Sequence, residues 1–153
     1  MPVRGLMKSL LSGPFLTLAC LNLVSALLRP QSNPALTISL ILNGDCRLCL
    51  SDEIFTEYEE VLAREKFKRL DRPSVKELFF TLKKRALWVT PDVSIDNVAK
   101  DPADKVFLEC ALEAKADFLI TGNIHHFTVK NFHNTLIVTP SEFMDLITKL
   151  LVK

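Results

Sequence analysis

The segment from Asp101 to Asn123 constrains the fold most strongly, because it joins a buried type of helix directly to a buried type of strand. Asp101 suits the N-cap of a helix and Pro102 suits its first helical position. The predicted helix is apolar on nearly all sides, so we expect it to lie centrally in the protein. Residues 117–121 form an apolar run that predicts a strand, which Gly122 ends.

Strand and helix patterns alternate along most of the chain. Strand patterns cover residues 15–20, 46–50, 87–89, 117–121 and 136–138, and helix patterns cover residues 23–28, 35–42, 51–62, 73–86, 101–115 and a last segment opened by the capping box of Thr139 and Glu142. This alternation predicts an α/β fold with a central parallel β-sheet flanked by helices on both faces. The length of 153 residues suits one domain. We assign residues 15–153 to that domain and residues 1–14 to an N-terminal extension.

Residues 15–28 form an apolar run that follows Arg4 and Lys8, as in a secretory leader. The run is short for a membrane span, which needs about 20 residues. A central strand of a parallel sheet is also continuously apolar. Because the rest of the chain alternates between strands and helices, we interpret the run as the first strand and the start of a helix. This interpretation predicts no membrane association.

The net charge of +1 excludes nucleic-acid binding by bulk electrostatics, so an acidic ligand would need a local basic patch. Four cysteines are too few for a disulfide scaffold and indicate a reduced, cytoplasmic protein. The pair Cys46 and Cys49 falls mostly in a strand pattern, which favours core packing. A zinc site that joins this pair to His125, His126 or His133 is the alternative.

Two further segments allow more than one interpretation. The basic residues between Arg64 and Arg72 could contact phosphates or form a solvated connector. The final helix is more apolar than one buried face requires. We therefore predict homodimer contacts at this helix or at Phe79 and Phe80.

Polar residues that could reach the carboxyl ends of the strands matter most for function, because ligands of open α/β sheets bind there. Glu57 lies at the edge of the apolar face of its helix, and Asp104 lies on the buried stripe of the central helix. Asn123 follows a strand directly. Each has a structural alternative: a solvated glutamate, an acid that complements the helix dipole, and a turn residue.

Taken in order, these segments resemble the PIN-domain family, and most closely its subgroup of toxin components of toxin–antitoxin pairs. The resemblance covers nearly the whole chain, and it rests on LVSALLRP (Leu23–Pro30), LSDEIFTEYEEVLAREKF (Leu50–Phe67), DPADKVFLECALEAKADFLITGN (Asp101–Asn123), HHF (His125–Phe127) and IVTPSEFMDLI (Ile137–Ile147).

The resemblance implies a ribonuclease that uses Mg²⁺ or Mn²⁺, with RNA as substrate and an antitoxin protein as partner. Carried over by position, Glu57 and Asp104 match acids that bind the metal and take part in catalysis. Asp101 matches a supporting acid of the same site. Asn123 falls at the family's fourth catalytic position, and His126 is expected to face the cleft.

The chain departs from the family at the end of its first strand, where an aspartate is expected. Depending on the alignment, Ala19 or Cys20 takes that place, and neither is an acid. We therefore expect reduced affinity for the metal ion. The alternative is a catalytically impaired PIN domain that binds RNA or a protein. A cysteine suits Zn²⁺ better than Mg²⁺.

Overall fold

A computed structural model describes residues 13–92, 94–95 and 102–152. Within these residues the strands are β1 (Phe15–Leu18), β2 (Arg47–Leu50), β3 (Leu87–Trp88), β4 (Phe118–Ile120), β5 (Asn131–Phe132) and β6 (Thr135–Val138). The α-helices are α1 (Cys20–Leu28), α2 (Asn33–Asn43), α3 (Asp52–Leu62), α4 (Arg72–Arg85), α5 (Lys105–Ala114) and α6 (Pro140–Val152). Short 3-10 helices cover Glu65–Phe67, Pro102–Asp104 and Ile124–His126.

The strands form one sheet in the order β3-β2-β1-β4-β6-β5, in which only the β5–β6 pair of the described strands is antiparallel. Strand β1 lies at the centre, where Leu16 pairs with Leu48 of β2 and Leu18 pairs with Ile120 of β4. Helices flank both faces: α5 packs on β1, β2 and β4, while α6 packs on β4 and β6. The predicted α/β fold with a mostly parallel sheet is confirmed.

The apolar run of residues 15–28 forms β1 and α1. Leu16 and Leu18 are buried at 0% and 1% exposure, and Leu119 of the neighbouring strand is also fully buried. Central strands of a parallel sheet are covered on both faces, which explains why this run shows no alternation of polar and apolar residues. In the described part of the chain, no helix is both long enough and apolar enough to cross a membrane.

The predicted helix boundaries are set by local capping. The hydroxyl of Ser51 accepts a hydrogen bond from the backbone N–H of Ile54 at 3.3 Å, which caps α3. The capping box at the start of α6 closes in both directions: Glu142 N–H donates to the Thr139 hydroxyl at 3.1 Å, and Thr139 N–H donates to the Glu142 carboxylate at 2.9 Å. These bonds lower the pKa of Glu142.

Several predicted element boundaries differ from the structure. The segment after Asp101, predicted as α-helix, begins as the 3-10 helix Pro102–Asp104, and Asp104 takes the N-cap position of α5. Asp101 itself lies outside the described residues. Helix α1 begins at Cys20 rather than Leu23, and the two-residue strand β5 was not predicted.

The cysteine pair is part of the core, as the packing interpretation predicted. Cys46 and Cys49 are 3% and 0% exposed, and both are free of disulfide bonds. Burial raises the pKa of the Cys46 thiol to about 12. A neutral, inaccessible thiol behaves as a small apolar side chain.

The apolar residues of α6 mostly face inward. Phe143 and Ile147 are buried, and Met144 lies against Thr37 of α2, with its sulfur 3.9 Å from the hydroxyl. Leu150 is 58% exposed. The described part of α6 therefore offers a smaller exposed apolar surface than its sequence indicated.

A buried hydrogen bond joins α3 to the central strand. The Tyr58 hydroxyl donates to the carbonyl of Leu18 at 2.5 Å, and the Tyr58 side chain is 1% exposed. Burial raises the pKa of this hydroxyl well above its usual value, so it remains a donor. This bond holds α3 against the end of β1.

We expect Tyr58→Phe to lower the free energy of unfolding by about 1–2 kcal/mol, because it leaves a buried carbonyl without this donor. Urea denaturation measures the change. The matched control is Thr148→Val, which removes an exposed hydroxyl that donates to Met144, and it should change stability by less than about 0.5 kcal/mol. Equal effects of the two substitutions would contradict this account.

Candidate active site

A cleft of about 240 Å³ opens at the carboxyl ends of β1 and β4. The chain leaves β1 towards β2 and later returns to β4 on the opposite side, so the two strand ends diverge. This is a topological switch point, the usual ligand position in open α/β sheets. Ala19 and Cys20 line the cleft after β1, and Thr121, Gly122 and Asn123 line it after β4.

The cleft brings together Glu57, Asp104, Asn123 and His126, which are far apart in the sequence. The supporting acid Asp101 lies outside the described residues. The positions of the strand ends predicted that these residues would lie close together, and the structure places them in one cleft. The catalytic and metal-binding roles of these residues stay predictions.

Helix α3 places Glu57 at the cleft wall. Its buried face carries Ile54, Tyr58 and Val61, which fix the rotation of the helix against the core. Arg64 follows Glu57 by seven residues, about two helical turns, and also lines the cleft. From the sequence, Arg64 belonged to a basic segment that could contact phosphates or form a solvated connector. The seven-residue spacing was the signal that could have assigned it to the cleft.

Asp104 is held by His126 from across the cleft. The His126 Nδ1 lies 2.9 Å from the Asp104 carboxylate, and the two side chains are 44% and 18% exposed. Phe107, one turn further along, is buried and anchors α5 beneath the cleft. Asn123 lies at the exposed mouth, where its N–H donates to the Thr121 hydroxyl at 3.1 Å.

Cys20 occupies the place where β1 was expected to deliver an acid. It is 8% exposed, and its thiol forms a hydrogen bond with the Glu57 carboxylate. Burial raises the pKa of this thiol far above its usual value, and the negative charge of Glu57 raises it further. The thiol therefore stays neutral and donates a proton to the bond. Ala19 adds no ionisable group, so β1 contributes no carboxylate to the cleft.

Electrostatics in the cleft act mainly on Glu57. Its pKa is raised above the usual value of 4.5, chiefly by burial. The hydrogen bond from Cys20 opposes that rise, Asp104 adds to it and Arg64 reduces it. Two carboxylates that repel one another across a partly buried cleft favour a bound cation or a proton.

A larger depression of about 460 Å³ shares Glu57 but lies along the outer face of α3. Its other polar lining residues are Asp52, Glu53, Thr56 and Glu60. No basic residue lines it in the described part of the chain, so it would repel a phosphate group. The smaller cleft, which contains Arg64, is the better candidate.

A comparison with family models places this architecture. A model described as PIN domain matches residues 22–125, more than half of the chain. The chain belongs to the PIN-domain family. The matched range includes Glu57, Asp104 and Asn123 and begins just after Cys20. A comparison with curated proteins finds no match. The match to the PIN-domain model means that this chain has a nuclease-like fold.

PIN domains generally bind divalent metal ions, so the donors of this PIN domain can be tested against that property. Among the described residues, no group of three or more histidine, cysteine, aspartate or glutamate side chains is arranged to hold a metal ion. Two carboxylates, Glu57 and Asp104, do face one cleft. Mg²⁺ keeps several waters and binds proteins through one or two carboxylates. The donor set therefore fits a hydrated ion with reduced affinity.

We expect Glu57→Gln to raise the melting temperature at pH 7 by about 1–3 °C in the presence of EDTA. The amide removes a charge that burial and Asp104 disfavour, and its oxygen can still accept the hydrogen bond from Cys20. The folded pKa of Glu57 lies above its ordinary value of 4.5, so wild-type stability falls as pH rises through this folded pKa.

The gain in melting temperature should therefore shrink as pH falls below the folded pKa of Glu57 and vanish near the ordinary value of 4.5. Differential scanning calorimetry from pH 4 to pH 8 measures it. Glu59→Gln, at an exposed position of α3 outside the cleft, is the matched control and should have no such pH dependence. A lower melting temperature for Glu57→Gln at pH 7 would contradict the electrostatic account.

Proposed function

We propose that this PIN domain is a metal-dependent ribonuclease whose affinity for Mg²⁺ or Mn²⁺ is lowered by the absence of an acid at the end of β1. The observation that supports it most directly is the convergence of Glu57, Asp104 and Arg64 on one cleft at the switch point. Carboxylates suit a hard divalent ion, and a guanidinium suits a phosphodiester.

Each residue has a distinct part in this proposal. Glu57 and Asp104 hold the ion, and His126 positions the Asp104 carboxylate through its Nδ1. Arg64 binds a phosphate oxygen, and Asn123 orients the substrate at the cleft mouth. Asp101 supports the ion by resemblance to the family. A divalent ion bound there would lower the pKa of a water molecule and stabilise charge on the phosphate.

A second candidate function is a catalytically impaired PIN domain that binds RNA or a protein. The hydrogen bond between Cys20 and Glu57 favours this alternative, because it gives one of the two carboxylates a neutral partner in place of a cation. The ribonuclease remains the first proposal because two carboxylates suffice for a hydrated ion.

The proposals for location, cellular role and protein partners rest on the sequence. We propose a cytoplasmic toxin component that pairs with an antitoxin protein. We also propose a homodimer in which the exposed end of α6, at Leu150, contributes to the contact. The contact predicted at Phe79 and Phe80 is not part of this proposal, because the basic residues of α4 would repel those of a second copy.

The test combines Mn²⁺ calorimetry with cleavage of an unstructured RNA, each with and without EDTA. We expect the wild type to bind Mn²⁺ and to cleave RNA in an EDTA-sensitive manner. Asp104→Asn should abolish both activities. Cys20→Asp or Ala19→Asp should raise the affinity for Mn²⁺ at least tenfold by restoring the third carboxylate.

Asp145→Asn is the matched control, since Asp145 is an exposed acid on α6. It should leave both measurements unchanged. If only Cys20→Asp or Ala19→Asp binds Mn²⁺ and cleaves, the impaired binding module is the correct function. If Asp104→Asn cleaves as well as the wild type, the cleft is not the active site.

A further inference from the structure

A cluster of aromatic side chains lies on α4 and the end of β3, outside the cleft. Phe80 is 67% exposed, the largest exposure among the large apolar residues that the structure describes. Trp88 is 38% exposed. Phe55 contacts both Phe79 and Trp88, with ring centroids 5.3 Å and 5.9 Å apart. Exposed aromatic side chains set among charged residues are typical of interaction surfaces.

Basic residues surround these rings. Lys76, Phe80 and Lys84 follow one another at intervals of four residues, which places them on one face of α4. The Lys84 ammonium lies 5.9 Å from the Phe80 ring centroid, and the Lys83 ammonium lies 4.9 Å from the Phe55 centroid. All three lysines are exposed.

The charge of α4 differs sharply from that of the whole chain. The helix carries five basic residues and one acid, Glu77, whereas the chain has a net charge of +1. The basic residues are Arg72, Lys76, Lys83, Lys84 and Arg85. A local positive surface can therefore attract an anionic ligand although the protein is nearly neutral.

The indole of Trp88 is fixed in place. Its Nε1–H donates to the carbonyl of Lys83 at 2.9 Å, and its ring lies 5.9 Å from that of Phe55 at a tilt of 53°. A ring held in this way loses little conformational entropy when a flat ligand stacks on its exposed part. Lysines beside preordered aromatic faces are the usual elements of single-stranded nucleic-acid binding.

A second copy of the chain is the competing occupant of this surface. In a two-fold contact the same patch meets itself. Both ends of α4 are basic, with Lys76 near one end and Lys83, Lys84 and Arg85 at the other, so antiparallel packing would still bring like charges together. Repulsion disfavours the self-contact, whereas a polyanion neutralises the same residues.

We propose that the face of α4 around Phe80, together with Trp88, binds single-stranded RNA by base stacking and phosphate contacts. We name it the α4 surface, defined by Lys76, Phe80, Lys83, Lys84 and Trp88. This proposal rests on the proposed ribonuclease function only in the choice of RNA as ligand. It adds a substrate-holding site that is separate from the cleft.

Helix α3 separates the two sites. Phe55 packs towards the α4 surface and Glu57 faces the cleft, and two residues in an α-helix are about 200° apart around the axis. The α4 surface and the cleft therefore lie on opposite sides of α3 and are separated by at least the width of that helix, about 10–12 Å. A strand a few nucleotides long can reach both.

The test measures binding of a fluorescein-labelled 12-nucleotide unstructured RNA by anisotropy in EDTA, where no cleavage occurs. Phe80→Ala should weaken binding about 5- to 100-fold, the usual effect of losing one stacked base. Leu28→Ala removes a comparably exposed apolar residue, 54% exposed, from α1 and should change affinity less than twofold. Trp88 is the only tryptophan, so its fluorescence should be quenched by RNA.

The lysines have their own measurement. The double variant Lys76→Ala and Lys84→Ala should reduce the slope of log affinity against log salt by about 1.4, since each phosphate contact to a single strand contributes about 0.7. Lys149→Ala, an exposed lysine on α6, is the matched control and should leave the slope unchanged.

Two outcomes would overturn the proposal: equal losses of RNA affinity in Phe80→Ala and Leu28→Ala, or no loss in Phe80→Ala. In the second case, a switch from dimer to monomer in Phe80→Ala by light scattering would identify a protein interface. Binding is measured without metal, so it is independent of cleavage. If the wild type binds RNA through Phe80 but does not cleave it with Mn²⁺ present, the ribonuclease proposal is refuted and the proposal for the α4 surface still stands.

Discussion

The hydrogen bonds of β1 to strands on both sides determine where this protein can hold a ligand. Two donors converge on the carbonyl of Ile120 at the end of β4: the N–H of Ala19 at 3.0 Å and the side-chain amide of Asn22 at 2.8 Å. They fix the corner between β1 and α1 against β4. The cleft is thus held by hydrogen bonds that need no acid at the end of β1, and it persists without one.

The absence of an acid at the end of β1 affects the charge of the cleft more than its shape. Three carboxylates would repel one another strongly in a partly buried site and would depend on a cation for relief. Here Cys20 supplies a neutral donor to Glu57, and His126 contacts Asp104. Glu57 and Asp104 therefore each have a partner within the chain. A metal ion bound there would have to compete with these partners, which supports the reduced affinity that we propose.

The sequence predicted the features that depend on local chemistry. The caps at Ser51 and at Thr139 with Glu142, and the buried run of β1, follow from side-chain type and hydrophobic pattern within a few residues. The strand ends then indicated which polar residues would meet. The α/β fold and the meeting of the candidate residues could be predicted for this reason.

The remaining features depend on distant contacts. The pairing of His126 with Asp104 joins residues 22 positions apart, and the bond between Cys20 and Glu57 joins two elements that only tertiary packing brings together. Strand β5 has two residues, too few for any periodicity, and exists because it pairs with β6. No local pattern contains this information.

Under the proposed function, the charges around α3 determine how this nearly neutral PIN domain would meet a polyanion. The outer face of α3 carries Asp52, Glu53 and Glu60, and the cleft beside it also carries carboxylates, so RNA is repelled there unless a cation is bound. The α4 surface has the opposite sign and needs no metal. Attraction of the substrate and admission to the cleft are thereby assigned to different surfaces. The net charge of +1 is the sum of these opposed regions, and it conceals both of them.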